Sequence, residues 1–511
     1  MSEVIKLSFE SILLSLISLT RIIIAYIVCL LLSIIISYIA ISERKIERIV
    51  IAILDVLQSI PVLSFTPAVM MFFYGLGYIG WELATLTLII TGMIWNMIFS
   101  FYSSIKNLPE EALELSRSIR LSPVRRFFVL DFPFSFPALA FNSLMSFSGG
   151  WYFLMYCEMF SIGDVEIKVR GIGSFILTAT EKGDITSAML GFIAIASTIA
   201  LSYFMIWRPL IRLSNIFKYE FEYGGTRNEL SNYEKTIFLT IEKFIRRFST
   251  SDFPDKISKF VEKTHIKRKT ITDIIYFILL ASISAIFILL FSRIINLKLE
   301  DIGKVIISIF PTLIRVLIGI GISAIVSIPA AIFIGLRKDL TDKLMPAIQI
   351  LSSLPATALF PIIFFALSKI NYGIEINAVI IIALSSIWYI FYNTLSGVSS
   401  IPKEILEVSE SIKLNMKDKL RKIIIPGAAK DIYVGFLTAW GGAWNGSFVA
   451  EFINFGGKEF KLYGIGSIIS ESAEKGNKDL MIFATFVMAS FIALINLLVW
   501  RKILEKIEKT K

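Results

Sequence analysis

Two arginines and two glutamates interrupt long apolar runs in this chain: Arg21 with Glu158, then Arg315 with Glu451. An ionisable group at mid-bilayer costs about 2.5–3.5 kcal/mol on insertion scales, so such residues usually pair or face a pathway. The remaining chemical inventory is thin. The sole histidine, His265, has no second ligand for a metal, and Cys29 and Cys157 sit in apolar runs, as small buried hydrophobes do. The sequence carries no nucleophile–base pair, no metal-ligand cluster and no Walker-type phosphate loop. Neither a catalytic residue nor a cofactor is expected in this chain. What remains is the handling of charge across an apolar barrier.

Such charges need a membrane around them. The chain has 511 residues, 55% of them hydrophobic and 18% charged, with a mean hydropathy of +0.74, which leaves too little polar surface for a soluble protein of this size. Apolar spans fall at about 11–41, 51–77, 82–105, 134–160 and 185–207, and again at about 272–294, 304–336, 346–368, 375–397, 431–455 and 480–500. Arg21 interrupts the first stretch, no small-residue cleavage site follows, and it is read as a retained span. The net charge of +10 is concentrated in segments between spans, at 43–48, 106–126, 208–269, 337–343, 403–430 and 501–511. That is the positive-inside pattern and not a nucleic-acid surface. With eleven spans and an external N-terminus, all six segments fall in the cytoplasm. The expected location is the plasma (inner) membrane, multi-pass.

The chain also repeats itself. Residues 109–184 align without a gap onto 402–477, with 24 of 76 positions identical, and the identities include Pro109/Pro402, Pro133/Pro426, Trp151/Trp444, Glu158/Glu451 and Gly171/Gly464. Because those positions are not interchangeable apolar ones, duplication explains them better than composition does. At an offset one residue larger, Arg21 matches Arg315, Pro61 matches Pro355 and Pro67 matches Pro361. The expected fold is all-α and polytopic, with a first repeat at 1–207, a cytoplasmic linker at 208–270 and a second repeat at 271–511. The repeats run parallel, with a pathway shared between them. Within the linker, the helical spacing of Ile237, Phe238, Ile241, Phe244, Ile245 and Phe248 predicts either a surface amphipathic helix or a packed connector.

Each repeat carries a polar cytoplasmic segment, 106–133 and 399–426. The first holds Glu111, Glu114, Ser116 and Arg120 before Pro133, and the second Glu404, Glu407, Ser409 and Lys413 before Pro426. This spacing resembles the signature of the permeases of binding-protein-dependent ABC importers: Glu-Ala-Ala, three residues, Gly, nine residues, Ile-x-Leu-Pro. The resemblance implies a type I ABC importer permease fold of 5 + 6 helices, in which these segments form coupling helices that dock on a cytoplasmic ATPase dimer. Glu111 and Glu114 beside Leu113, Leu115 and Ile119 offer charges and apolar knobs to such a partner, on a helix expected to end at the proline. Arg120 and Lys413 stand where the signature has glycine. The chain is expected simply to stay helical there.

The runs Ser148-Gly149-Gly150-Trp151 and Gly441-Gly442-Ala443-Trp444, each followed by Gly-Ile-Gly and Glu-Lys-Gly, resemble the duplicated anion permeases of the nitrate/sulfonate/taurine branch. That implies a small anion as substrate (nitrate, a sulfonate, bicarbonate or cyanate), an external solute-binding protein, and ATP-Mg held by the separate ATPase. Pathway candidates are Arg21, Pro61, Trp151, Glu158, Arg315, Pro355, Trp444 and Glu451. The prolines predict a broken pore-lining helix or a plain kink, and the glycines a pathway or close helix packing. The arginines and glutamates pair near the outer mouth, where the arginines could greet an anion, or else snorkel apart. A secondary transporter with parallel repeats is the competing class, although it has no use for two matched coupling segments.

Overall fold

The computed structural model describes residues 2–214 except 163 and 164, and residues 297–503 except 501, with isolated helical positions between 236 and 243. The expected span at 272–294 and nearly all of the proposed linker helix lie outside the described residues. The first half runs through α1 (Ser2–Ser42), α2 (Arg44–Ser59), α3 (Thr66–Phe73), α4 (Gly77–Lys106), α5 (Glu110–Ser118), α6 (Pro123–Arg126) and α7 (Phe132–Cys157). A hairpin of β1 (Met159–Ile162) and β2 (Val165–Lys168) follows, then α8 (Ile172–Glu181), α9 (Ile185–Ser202) and α10 (Arg208–Ser214). The second half repeats the order as α11 (Leu299–Gly335), α12 (Lys338–Ser353), α13 (Ala356–Leu367), α14 (Gly373–Ser399), α15 (Lys403–Ser411), α16 (Met416–Lys419) and α17 (Ile425–Ala450). It closes with β3 (Phe452–Phe455), β4 (Lys458–Lys461), α18 (Ile465–Glu474) and α19 (Lys478–Ile495).

Among the described residues, seven helices are long and apolar enough to cross a membrane, or eight if the bent pair α12–α13 counts as one span. Eleven were expected. The spans expected at 51–77 and 346–368 are interrupted at the prolines: α2 stops at Ser59 before Pro61, and α12 meets α13 at 76° across Pro355. Proline lacks the N–H that would continue the helix and pushes the residue before it out of the α region, and Ile60 and Leu354 are extended as that requires. The span expected at 431–455 overlaps α17, whose Gly, Trp and Asn content lowers its apolarity.

The two short hairpins were not expected. In β3–β4, Phe455 pairs with Lys458 across Gly456-Gly457, and both glycines have positive φ (60° and 71°), as a two-residue turn of this hand demands.

Each half has its own core, and the broken helices are exchanged between them. Val62, Leu63 and Met70 of the first half are buried in the cluster around Trp444 and Phe364. In return, Ala358, Ile350 and Leu354 pack into the cluster around Trp151 and Trp207. Hydrogen bonds follow the same exchange, with Thr357 Oγ1 donating to Tyr152 O (3.1 Å) and Thr485 Oγ1 to Ser64 O (3.0 Å).

Candidate functional site

At one end of each half, the intramembrane charges are tied into a knot. Arg21 Nε and Nη2 donate to the two Glu82 carboxylate oxygens (2.6 and 2.7 Å), and Nη1 donates to Glu158 Oε1 (2.6 Å). Arg315 does the same with Glu375 (2.7 and 2.8 Å) and Glu451 (2.9 Å). Both inner glutamates are buried, Glu158 at 0% and Glu451 at 1% exposure. A buried carboxylate persists only when its lone pairs are answered. Glu158 also accepts from Ser18 Oγ (2.6 Å) and from the backbone N–H of Gly173 (2.7 Å), and Glu451 from that of Gly466 (2.9 Å). Each carboxylate thereby caps the N-terminus of the next short helix, α8 or α18, where the helix dipole favours negative charge.

This contact explains the Gly-Ile-Gly runs. A Cβ at Gly171 would lie 2.2 Å from the Glu158 carboxylate oxygens, and one at Gly464 would lie 2.3 Å from Glu451 Oε2. The glycines are there so that the chain can pass the carboxylate.

The structure brings Arg21 to Glu158 and Arg315 to Glu451. The expectation that the arginines greet an entering anion needs correction, because two carboxylates flank each guanidinium and leave no spare positive charge. Glu82 and Glu375 were missed. They occupy matching positions in the two copies, and that correspondence was the signal that could have found them.

Between the halves lies a narrow cavity of about 80 Å³. From the first half α7 contributes Ser148, Gly149 and Tyr152; from the second come Ser352, Ser385, Tyr389 and Asn445. Tyr152 Oη and Ser385 Oγ are 3.1 Å apart across it, and Ser148 Oγ and Ser353 Oγ 2.6 Å. Among the described residues none of those lining it is charged. Pro355 sits at the break between Leu354 and Ala356, which both line the cavity, and Pro61 sits at the matching break of the first half; both prolines are buried. Trp151 and Trp444 are fully buried against Phe147 and against Trp440 and Phe491, within their own halves.

At the other end stand α5 and α15. Glu111, Glu114, Leu115, Ile119 and Arg120 are exposed on the first, and Glu404, Glu407, Val408, Ile412 and Lys413 on the second. Ser116 and Ser409 are buried and turn their hydroxyls back to Leu113 O (2.7 Å) and Leu406 O (2.5 Å).

Two expectations fail here. The chain does not stay helical at the signature glycine position, because Arg120 (φ 51°) and Lys413 (φ 52°) are left-handed. Nor does proline end the helix expected to couple. Pro133 and Pro426 lie in the first turns of α7 and α17, after a π-helical stretch at Phe127–Asp131 or Leu420–Ile424. α5 and α15 end instead in a Schellman turn: Leu121 N–H reaches Ser116 O (3.1 Å) and Arg120 N–H reaches Arg117 O (3.0 Å), with Leu414 to Ser409 (3.0 Å) and Lys413 to Glu410 (2.9 Å) in the second copy.

Two duplicated helical halves with an intervening cavity and paired surface helices at one end define a polytopic membrane transport protein. Comparison with known families agrees. The family described as "binding-protein-dependent transport system inner membrane component" matches residues 29–207 and 327–501, and the chain belongs to it. It is a transport permease and not an enzyme.

Among curated proteins, the chain is 33% identical over 147 residues to the nitrate import permease protein NrtB of Synechocystis sp., covering 29% of this chain and 52% of that protein. It is 27% identical over 190 residues to the bicarbonate transport system permease protein CmpB of Synechococcus elongatus (37% and 65%). To the putative aliphatic sulfonates transport permease protein SsuC of Bacillus subtilis it is 28% identical over 213 residues (40% and 71%). The chain thus spans about half the length of the first of these relatives.

Proposed function

We propose that this chain forms the membrane pathway of an ATP-driven importer for a small anion, with two permease halves in one polypeptide. A separate cytoplasmic ATPase dimer would dock on α5 and α15, and an external solute-binding protein would deliver substrate to the hairpin end. The observation that carries this reading is the pair of matched coupling helices, each with an exposed apolar and acidic face. Leu115 and Ile119 are 63% and 59% exposed, and Val408 and Ile412 are 59% and 64% exposed, and no described residue covers them. A secondary transporter has no need of them.

The permeases for nitrate, bicarbonate and aliphatic sulfonates among the relatives support an anion. The central cavity suits one that is passed on and not retained. Hydroxyls of Ser148, Tyr152, Ser385 and Tyr389 supply neutral donors, and the lack of fixed cations avoids a trap from which the anion could not leave. The charge knots with Arg21, Glu158, Arg315 and Glu451 act as struts of this pathway, and the breaks at Pro61 and Pro355 let the exchanged helices move.

Reconstitution of the full chain with its ATPase and binding protein tests this. Uptake of nitrate, bicarbonate or an aliphatic sulfonate should require ATP and should be lost in Leu115→Asp/Val408→Asp. ATP-independent uptake driven by an ion gradient would refute it in favour of a secondary transporter.

A further inference from the structure

The end of each coupling helix carries an oddity in duplicate. A left-handed residue at this position of a Schellman turn is normally glycine, because a side chain there crowds its own backbone. In this chain the position is filled twice, both times by a cation, at φ 51° and 52°. Two features argue that the side chain is kept for its charge. First, Arg120 and Lys413 are both exposed and, among the described residues, neither side chain has a partner within the chain. Some neighbouring cations are engaged, Arg126 with Asp131 (3.1 Å), Lys419 with Glu410 (3.0 Å) and Lys422 with Asp418 (3.3 Å), whereas Arg117, Lys417 and Arg421 are exposed without an ion pair among the described residues. Second, in the first copy the helix end does not itself explain the choice, although α15 has no other basic residue in its last turn. Arg117 already supplies a positive charge to the last turn of α5, and yet Arg120 is present.

We propose that Arg120 and Lys413 each reach a carboxylate on the docked ATPase, at the rim of the groove that receives the coupling helix. This rests on the reading of α5 and α15 as ATPase-docking helices. Each footprint is then dipolar. Glu111 and Glu114, or Glu404 and Glu407, face basic groups along the groove, and the cation at the helix end faces an acidic one. Glutamates on the helix followed by a cation two residues past its end fix the direction in which it lies in the groove, which apolar knobs alone would not do.

The test uses the full-length permease in lipid nanodiscs and its purified ATPase, with Kd measured at low and high ionic strength. The variant is Arg120→Gly/Lys413→Gly, since glycine accepts the left-handed turn without strain. The thermal midpoint should hold or rise while docking weakens about tenfold at low salt, the scale of lost charge-assisted hydrogen bonds. Its salt dependence should flatten, and Arg120→Lys/Lys413→Arg should restore both. An unchanged Kd and salt dependence in the glycine variant would overturn the proposal, as would a fall in its thermal midpoint, which would assign the cations to the fold. The docking reading fails separately: if Leu115→Asp/Val408→Asp leaves ATPase binding intact, the coupling helices themselves are misassigned.

Discussion

Arg21 holds two carboxylates at once, and one of them, Glu158, has no contact with solvent. Removing a partner from a buried pair typically costs about 3–5 kcal/mol, because the remaining charge stays buried and unpaired. Arg21→Leu should therefore lower stability by about that amount, read as the thermal unfolding midpoint in detergent. Adding Glu158→Gln should recover part of it, since the carboxylate then left alone, Glu82, has a side chain 28% exposed. Strictly additive losses would mean that the two groups are not coupled. The glycines divide on the same physical ground. Gly171→Ala and Gly464→Ala force a methyl into a carboxylate and should cost about 1–3 kcal/mol with loss of uptake. Gly441→Ala meets nothing within 4 Å, and Gly149→Ala meets only a backbone oxygen at 3.5 Å, so both should stay within about 0.5 kcal/mol of the parent. A glycine in an apolar run looks the same in either case, and only the tertiary neighbour tells them apart.

The hairpin elements carry a titrating contact. Gly456 N–H donates to Thr180 O (3.1 Å) and Gly457 N–H to Glu181 O (2.8 Å), so the β3–β4 turn is stitched to the end of α8 in the other half. Beside it, at the end of α18, burial pushes the Glu474 carboxyl up to about 7, with Glu459, Glu181 and Glu471 adding like charge. The nearby cations Lys461 and Lys475 are both engaged by Glu471. A carboxyl with a raised pKa favours the packed state fully below its ordinary pKa, and that contribution is lost as pH rises through 7. Hydrogen exchange at Gly456 and Gly457, corrected for intrinsic rates, should quicken between about pH 5 and about pH 8 in the parent and stay flat in Glu474→Gln. An identical pH response in both would show that this carboxyl does not govern the contact.

The sequence announced the elements unevenly. The short surface helices α5 and α15 and the helix breaks were readable because local signals set them: a spaced Pro and Glu pattern, and a missing N–H. The hairpins were not, since the first strand of each continues the apolar character of the preceding span, and the runs expected at 134–160 and 431–455 extended into β1 and β3. The left-handed Arg120 and Lys413 went against the residue's own preference, which composition cannot reveal. The cavity was out of reach altogether, because Tyr152 and Ser385 stand 233 residues apart and meet only when the halves exchange their broken helices.

At the scale of the whole chain, the two halves must enter the membrane in the same direction for paired coupling helices to meet one ATPase dimer. Within each half the coupling helix and the hairpin lie at opposite ends of one long helix, α7 or α17. The halves pack so that the β3–β4 turn of the second touches the end of α8 in the first, and this contact requires both hairpins at one end of the molecule. The positive-inside pattern assigns the coupling end to the cytoplasm, since 106–126 and 403–430 are rich in Lys and Arg. Single cysteines at Arg117 and Glu410, exposed on α5 and α15, should therefore react with a membrane-impermeant thiol reagent only from the cytoplasmic side. Cysteines at Lys168 and Glu459, exposed on the two hairpins, should react only from the outside. The parent gives no background, because Cys29 and Cys157 are both buried. Labelling is done on the permease without its ATPase, which would mask the coupling positions. If Arg117 and Glu410 label from opposite sides, the repeats are inverted, and the paired docking of one ATPase dimer is lost with the parallel arrangement. If all four labels swap sides as a set, the repeats are parallel and the charge rule has been misapplied, which moves the ATPase to the hairpin end.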